Sequence, residues 1–175
     1  KKKHSDFDYE CIGWSEIEPS AITLHNACFP SLSGKNFGDM TKIDWSKVAD
    51  FDLLTYSTPC QSVSQAGKQK GIEEGSNTRS SILWFTRNAI ITKRPKYLLM
   101  ENVEALVQTK FIGFFNKWRK ELESYGYINF AKVVNAADCG VPQNRKRVFM
   151  LSIRNDGDKI DYHFPRKTKL KKTFG

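Results

Sequence analysis

The sequence predicts an α/β domain in which helices cover both faces of a mainly parallel β-sheet, and three observations lead to this fold class. Short apolar runs of strand length alternate with longer segments whose apolar residues recur at helical spacing. Polar side chains able to carry chemistry follow several of these runs, as is typical of doubly wound sheets. The chain has 175 residues, 39% of them hydrophobic, which is enough for one domain with a buried core.

The elements follow in chain order. A strand over 9–14 precedes a helix over 18–25, which has Pro19 in its first turn. The polar, glycine-containing segment 57–78 has the length of a functional loop. The other predicted elements are strands over 51–56, 97–100 (ended by Glu101 and Asn102), 128–134 and 147–153, and helices over 80–93 and 111–125, the second capped by Gly126.

The charge is strongly basic, with 28 Lys and Arg against 19 Asp and Glu and a net charge of +9. The excess is concentrated toward the C-terminus, where a core over 1–153 is predicted to pass into a basic linker over 154–175. A polyanionic partner explains this excess, and so does a solvated basic tail. Charge alone leaves both interpretations open.

Several classes of protein are disfavoured. The 4 cysteines are scattered without a CxxC pair, which argues against a zinc site and against a secreted disulfide framework. The basic N-terminus is not followed by the apolar stretch of a secretory signal, and no apolar run reaches the roughly 20 residues of a membrane span. Free thiols in a reducing cytoplasm are the simpler interpretation.

Two strand ends carry candidate catalytic groups. Cys60 follows the strand over 51–56, and Glu101 follows the strand over 97–100. A thiol and a carboxyl at one sheet edge suit a nucleophile and an acid that act on one small substrate. Each residue also has an ordinary interpretation, as an inert buried thiol and as a neighbour of a helix cap, so neither is decisive alone.

The ordered combination of motifs is more specific. It resembles the cytosine-C5 DNA methyltransferases, which carry Pro-Cys-Gln, Glu-Asn-Val and Gln-x-Arg-x-Arg in this order. The resemblance runs over about 11–153 and implies the Rossmann-like fold of S-adenosylmethionine-dependent methyltransferases. The matching segments are Pro59-Cys60-Gln61-Ser62, Arg79-Ser80-Ser81, Glu101-Asn102-Val103 and Gln143-Asn144-Arg145-Lys146-Arg147.

The resemblance implies catalytic roles. Cys60 would add as a thiolate to C6 of cytosine, helped by nearby arginine charge. Glu101 would hold the base and give a proton to N3, and Arg145 would contact the base O2. Asn102 would shape a turn, and Arg147 and Gln143 would organise their loop. The remaining members of the nucleophile motif, Pro59 and Gln61, are expected to support this site.

The resemblance also implies S-adenosylmethionine as cofactor. Glu16 occupies the place where nucleotide-binding folds hold ribose hydroxyls, beside Ile17. Asp39 resembles the adenine-binding aspartate of the family, with Met40 packed on the adenine, although Asp is also a common turn residue after glycine. Pro59 is expected to line the same pocket.

Double-stranded DNA is the implied partner, and its target base must leave the helix. The segment 61–78 is expected to close over the DNA, with lysines adding contacts to the phosphates. A monomer without metal or membrane contacts is expected, in the cytoplasm of a bacterium or encoded by its phage, in a restriction–modification setting. The expected DNA-contacting residues are Gln61, Ser64, Lys68, Gln69, Lys70, Arg79 and Arg145.

The sequence departs from the family at both ends. It contains neither the Phe-x-Gly-x-Gly turn that cradles the cofactor nor the target-recognition region. We therefore expect a catalytic core that lacks its first strand and its target-recognition domain, with weak cofactor binding and no useful DNA sequence specificity.

Three alternative functions compete with this interpretation. A tRNA cytosine-C5 methyltransferase shares the chemistry, although Gln61 favours the DNA enzymes. A zinc cytidine deaminase needs Pro-Cys-x-x-Cys and His-x-Glu, and Val63 together with the absence of His-x-Glu excludes it. A catalytically inactive DNA-binding fragment remains open.

Overall fold

The structure is a computed structural model that describes residues 9–57 and 83–168. The chain divides into two compact units, Lys1–Ala49 and Asp50–Gly175. None of the helices in the described ranges is long and apolar enough to cross a membrane.

Among the described residues of the first unit there is one α-helix, α1 (Pro19–Cys28), with proline in its first turn as predicted. The strand expected over 9–14 is not formed there. Trp14 makes one isolated parallel bridge to Asn36, through hydrogen bonds from Trp14 N to Lys35 O (3.0 Å) and from Phe37 N to Trp14 O (2.7 Å). The two segments pair at this point alone, so within this unit they do not extend into a ladder. Three short 3₁₀ helices complete the unit, at Pro30–Leu32, Met40–Lys42 and Trp45–Lys47.

The second unit is built on a sheet of four strands in the order β1-β2-β4-β3. Its described helices are α2 (Leu83–Lys93) and α3 (Ile112–Ser124), and Gly126 follows α3 with a φ of 87°, as expected for its cap. The strands are β1 (Leu53–Ser57), β2 (Tyr97–Val103), β3 (Tyr127–Asn135) and β4 (Lys146–Arg154).

The α/β class is confirmed, and the described sheet is mixed rather than mainly parallel. β1 and β2 pair in parallel, whereas β4 is antiparallel to both β2 and β3. The connection over 136–145 is too short for the crossover that parallel strands need, so β3 and β4 form an antiparallel pair.

Strand β2 is longer than the sequence predicted. Glu101 and Asn102 were expected to end it, but the ladder with β4 continues through both residues to Val103. The reason is that β4 supplies partners for them, Phe149 opposite Glu101 and Val148 opposite Asn102. The Glu-Asn-Val motif is therefore part of the strand, and its side chains alternate between the two faces of the sheet.

One face of this sheet carries the core. Alternate residues of β2 and β4 are buried there, and α2 and α3 both contribute to the same cluster. Trp118 of α3 is fully buried, and its Nε1 donates to the hydroxyl of Tyr56 at 3.0 Å. Burial raises the pKa of Tyr56 well above its usual value. The central members are Ile90, Leu98, Met100, Phe115, Trp118, Leu122, Val148 and Met150.

The described part of the predicted basic linker contacts strand β3 and its following turn. The ring of Tyr162 packs edge-on against Phe130, with centroids 5.4 Å apart. Thr168 N donates to Asp138 O at 2.7 Å, and Lys167 Nζ lies 2.9 Å from Asp138 Oδ2. These contacts hold residues 162–168 along the second unit.

Replacing Trp118 tests the core. Trp118→Ala should lower the free energy of unfolding by about 3–5 kcal/mol, because it removes a fully buried aromatic side chain and leaves a cavity. The exposed Lys120 lies on the same helix, and Lys120→Ala should change it by no more than about 0.5 kcal/mol. Urea unfolding followed by circular dichroism measures both, and a loss below about 1 kcal/mol for Trp118→Ala would contradict the assigned core.

Candidate active site

Three polar side chains meet at one edge of the sheet. Ser57 ends β1, Glu101 lies near the end of β2, and Arg147 lies near the start of β4. Because β4 is antiparallel, its first residues reach the edge at which β1 and β2 end. The register pairs Ser57 with Glu101 and Val103 with Arg147, which places the three side chains on the same face.

Both carboxylate oxygens of Glu101 are engaged. Ser57 Oγ donates to Oε2 at 3.1 Å, and Arg147 Nε lies 3.1 Å from Oε1. The side chain of Glu101 is 35% exposed and that of Arg147 is 23% exposed, so the pair is partly screened by water. Two partners on different strands fix the plane of this carboxylate while one side remains open.

A pocket of about 240 Å³ lies beside this carboxylate. It is smaller than the roughly 300–1,000 Å³ typical of sites for drug-sized ligands, and it is open to solvent. Its walls combine flat apolar surfaces with one carboxylate. The lining residues are Thr55, Tyr56, Ser57, Leu99, Glu101 and Phe149.

The remaining Gln-x-Arg-x-Arg residues lie just before and at the start of β4. The loop over 136–145 is closed by Asn135, whose Oδ1 accepts from Arg145 N at 3.0 Å and whose Nδ2 donates to Asn144 Oδ1 at 2.9 Å. Gln143 O also accepts from Arg145 N at 3.0 Å. The side chain of Arg145 is exposed. Asn135 therefore organises the loop, a contribution that no sequence motif indicated.

Acidic residues pair with two of the three consecutive basic residues of this motif. Arg147 contacts Glu101, and Lys146 Nζ lies 3.6 Å from Glu104 Oε1. All three residues belong to the basic excess that could face a polyanion. In the structure, ion pairs within the protein engage Lys146 and Arg147, while Arg145 is exposed at the sheet edge.

Asn102 does not face this pocket. It is 2% exposed, it lies in β2 rather than in a turn, and its Oδ1 accepts from Val103 N at 2.8 Å. Because strand side chains alternate, Asn102 points to the core face opposite Glu101. Its side chain secures the end of β2 from within.

The first unit holds four of the five residues predicted to bind the cofactor, namely Glu16, Ile17, Asp39 and Met40. Oε1 of Glu16 accepts from Ile17 N (2.7 Å) and Glu18 N (2.9 Å). Asn36 joins this turn to the next segment, accepting from Glu16 N at 3.1 Å and donating to Glu16 O at 3.0 Å. Ser15 Oγ donates to Gly38 O across the same two segments. Asn36 was missed by sequence reasoning, because a lone asparagine gives no motif.

Asp39 begins the 3₁₀ helix Met40–Lys42. Its Oδ1 accepts from Thr41 Oγ1 (2.8 Å) and Thr41 N (3.0 Å), and these hydrogen bonds lower the pKa of Asp39. Asp39 is therefore a turn residue whose carboxylate is held in one orientation by hydrogen bonds from Thr41. Met40 beside it is partly buried, and Ile17 is 67% exposed.

The other predicted site residues lie outside the described residues. They include the proposed nucleophile and most of the expected DNA contacts. In the described ranges, no group of three or more His, Cys, Asp and Glu residues could hold a metal ion. The predicted residues outside the description are Pro59, Cys60, Gln61, Ser64, Lys68, Gln69, Lys70 and Arg79.

The fold is the Rossmann-like α/β fold of methyltransferases. The structure aligns with a mutant of DNMT2 from Spodoptera frugiperda with a TM-score of 0.67 at 21% sequence identity, covering 97% of this chain and 50% of that one. At this identity the likeness establishes the fold alone.

Sequence comparison identifies the family. A sequence model of the C-5 cytosine-specific DNA methylase family matches residues 2–174, and the chain belongs to this family. It is 51% identical over 136 residues to the type II methyltransferase M2.ScrFI of Lactococcus lactis subsp. cremoris, covering 78% of this chain and 37% of the relative. It is 45% identical over 137 residues to the orphan methyltransferase M.SssI of Spiroplasma monobiae, covering 76% and 36%. The chain thus spans little more than a third of the length of these relatives.

The ion pair at this edge is expected to contribute little to stability. Arg147→Ala should lower the free energy of unfolding by at most about 1 kcal/mol, because the pair with Glu101 is partly exposed. Arg145→Ala provides a matched control and should be within about 0.5 kcal/mol of wild type. Urea unfolding checks both, and a loss above about 2 kcal/mol for Arg147→Ala would show that Arg147 is mainly structural.

Proposed function

We propose that the protein is a DNA cytosine-C5 methyltransferase that acts on a cytosine flipped out of double-stranded DNA. The observation that carries the proposal is the carboxylate of Glu101, held by two partners beside a small open pocket at the sheet edge. Family membership and the names of the relatives M2.ScrFI and M.SssI support the same activity.

We propose Cys60 as the nucleophile that acts together with Glu101. Cys60 follows Ser57 by three residues, so covalent geometry limits the distance between the two Cα atoms to about 11 Å. Pro59 and Gln61 flank Cys60 in the sequence and are proposed to fix the approach of its thiol. A thiol nucleophile and a carboxyl acid that act on the same base are what the addition to cytosine requires.

The reaction then runs through a covalent adduct. The Cys60 thiolate forms a bond to C6 while Glu101 gives its proton to N3, and the C5–C6 double bond becomes an enamine that is nucleophilic at C5. C5 takes a methyl group from the donor, which would leave as a neutral thioether. A base then removes the proton on C5, the bond from the Cys60 sulfur to C6 breaks to restore the C5–C6 double bond, and N3 returns its proton to Glu101. Arg145 is proposed to contact O2 of the base, and Arg147 to hold Glu101.

S-adenosylmethionine is the proposed cofactor and supplies an electrophilic methyl group when bound. The first unit fits it, since among the described contacts Oε1 is the engaged oxygen of Glu16 and Oε2 can accept from a ribose hydroxyl. The carboxylate of Asp39 can accept from the adenine amine. Ile17, Met40 and, from the nucleophile segment, Pro59 are proposed to pack on the cofactor.

The proposed DNA contacts are Gln61, Ser64, Lys68, Arg79 and Arg145, which suit phosphate and base edges. Extruding the base costs a few kcal/mol of unstacking, which such contacts would offset. We propose residues 1–153 as the catalytic core and 154–175 as a basic segment leading away from it. Bacterial and phage relatives favour the cytoplasm of a bacterium, and the type II names of several relatives favour a restriction–modification setting.

Covalent trapping tests the nucleophile. The intact protein, incubated with S-adenosylmethionine and a duplex containing 5-fluorocytosine at the target, should form an adduct stable to denaturing electrophoresis. The adduct accumulates because fluorine at C5 cannot leave as a proton does. Cys60→Ser should abolish it, whereas Cys139→Ser, at an exposed thiol in the turn after β3, should leave it intact.

An RNA duplex of the same sequence is the substrate control and should give no adduct. No adduct with any 5-fluorocytosine duplex, or an adduct that survives Cys60→Ser, would contradict the proposed chemistry. An equal adduct with RNA would show that the substrate is not DNA alone.

Two matched aspartates test the cofactor site. Asp39 and Asp44 each begin a 3₁₀ helix and accept from the backbone N and hydroxyl of the residue two positions on. Asp39→Ala should weaken S-adenosylmethionine binding about tenfold, because it removes one charged hydrogen-bond acceptor. Asp44→Ala loses a similar cap and should change binding less than about twofold. Equilibrium dialysis measures both, and equal effects would exclude a direct role for Asp39.

A further inference from the structure

Ser57 holds the acid of the proposed reaction from a neighbouring strand. Its hydroxyl donates to Oε2 of Glu101 at 3.1 Å, and the two residues are direct partners in the parallel ladder. We propose that Ser57 is a positioning residue that fixes the proton-carrying oxygen of Glu101. This inference rests on the proposed function and extends it to a residue that lies outside the three matched motifs.

The two partners of Glu101 differ in what they can do. A guanidinium is a donor only, so Oε1, which faces Arg147, stays an acceptor. A hydroxyl both donates and accepts, so Oε2 can lose or carry a proton beside Ser57 without losing its partner. The proton that is transferred is therefore carried by Oε2, whereas Oε1 stays bound to Arg147.

Glu101 needs Ser57 as a second partner to keep its carboxylate in one orientation. With Arg147 alone, the carboxylate is held at one oxygen and can rotate about that contact, since the side chain is 35% exposed. With Ser57 in place, two points on two strands fix the carboxylate plane beside the pocket. Proton transfer to N3 needs this orientation, because a catalytic acid must be within hydrogen-bond reach and aligned.

The backbone of Ser57 pairs with β2 in the parallel ladder, and replacing its side chain leaves this pairing intact. Strand β1 ends at Ser57, whose side chain is exposed, so replacing the hydroxyl does not open the core. Threonine and valine have nearly the same shape and are both favoured in strands. Ser57→Thr and Ser57→Val therefore form a matched pair that differs by one hydroxyl.

The first experiment measures steady-state methyl transfer by the intact protein to duplex DNA. Ser57→Ala and Ser57→Val should lower kcat by about tenfold, the effect of losing one hydrogen bond to a charged group. KM for DNA and for S-adenosylmethionine should stay within about twofold, and Ser57→Thr should recover kcat to within about threefold. Ser124→Ala, an exposed hydroxyl at the end of α3, should match wild type.

The second experiment separates positioning from a general structural effect. In a Glu101→Gln background, Ser57→Ala should lower the single-turnover rate by less than about twofold, because residues that act through one another are not additive. A full tenfold loss in that background would show that Ser57 acts independently of Glu101. Thermal melting of each variant checks that the fold is retained, and the comparison of Ser57→Thr with Ser57→Val decides the matter if Ser57→Ala unfolds.

Different results would overturn the role of Ser57 and the proposed methyltransferase function. A wild-type protein that methylates DNA while Ser57→Val keeps the kcat of Ser57→Thr would overturn the role of Ser57 and leave the proposed function standing. A wild-type protein that transfers no methyl group to cytosine and forms no trapped adduct would overturn the proposed function and the role of Ser57 with it.

Discussion

The antiparallel pairing of β2 with β4 is the interaction on which the arrangement of the second unit depends. It carries β2 beyond its apolar run to Val103, so that Glu101 is held in a strand with a defined direction. It also brings the start of β4 to the edge where β1 and β2 end, so that Arg147 reaches Glu101. On the other face, the same pairing aligns Met100 with Met150 in the core. One ladder thus sets both the core and the candidate site.

Charge at this edge is balanced locally rather than presented as a uniform basic surface. Arg147 and Lys146 face Glu101 and Glu104, and the exposed Arg145 lies beside these two pairs. Because the pairs are partly exposed, they contribute orientation more than stability. A carboxylate held in this way keeps its plane without being buried, which suits a group that must meet a substrate from solution. The basic composition therefore overstates the charge that is free to meet a polyanion.

Hydrogen bonds of turns and caps, rather than an extended β-ladder, connect the described residues of the first unit. Asn36 ties the turn that contains Glu16 to the segment that leads to Asp39, and Asp39 and Asp44 each begin a 3₁₀ helix. Caps of this kind are local, so the turn at Asp39 was visible in the sequence as aspartate after glycine. The bridge between Trp14 and Asn36 was not, since the two residues are far apart along the chain. The hydrogen bonds that hold each carboxylate are therefore local, whereas the hydrogen bonds that join the Glu16 turn to the segment before Asp39 belong to the tertiary structure.

The sequence by itself determined the α/β class and the existence and approximate bounds of α1, α3 and the four described strands of the sheet, whereas its strand over 9–14 did not form. These follow from periodicity, caps and motif order, which are local properties of the chain. The tertiary structure alone decided that β4 is antiparallel, that β2 includes Glu101, and that Arg147 and Ser57 are the partners of its carboxylate. The physical reason is that strand direction and register depend on which strands become neighbours. Ser57 and Arg147 are distant in sequence, and they converge on Glu101 only when β1, β2 and β4 are hydrogen-bonded side by side.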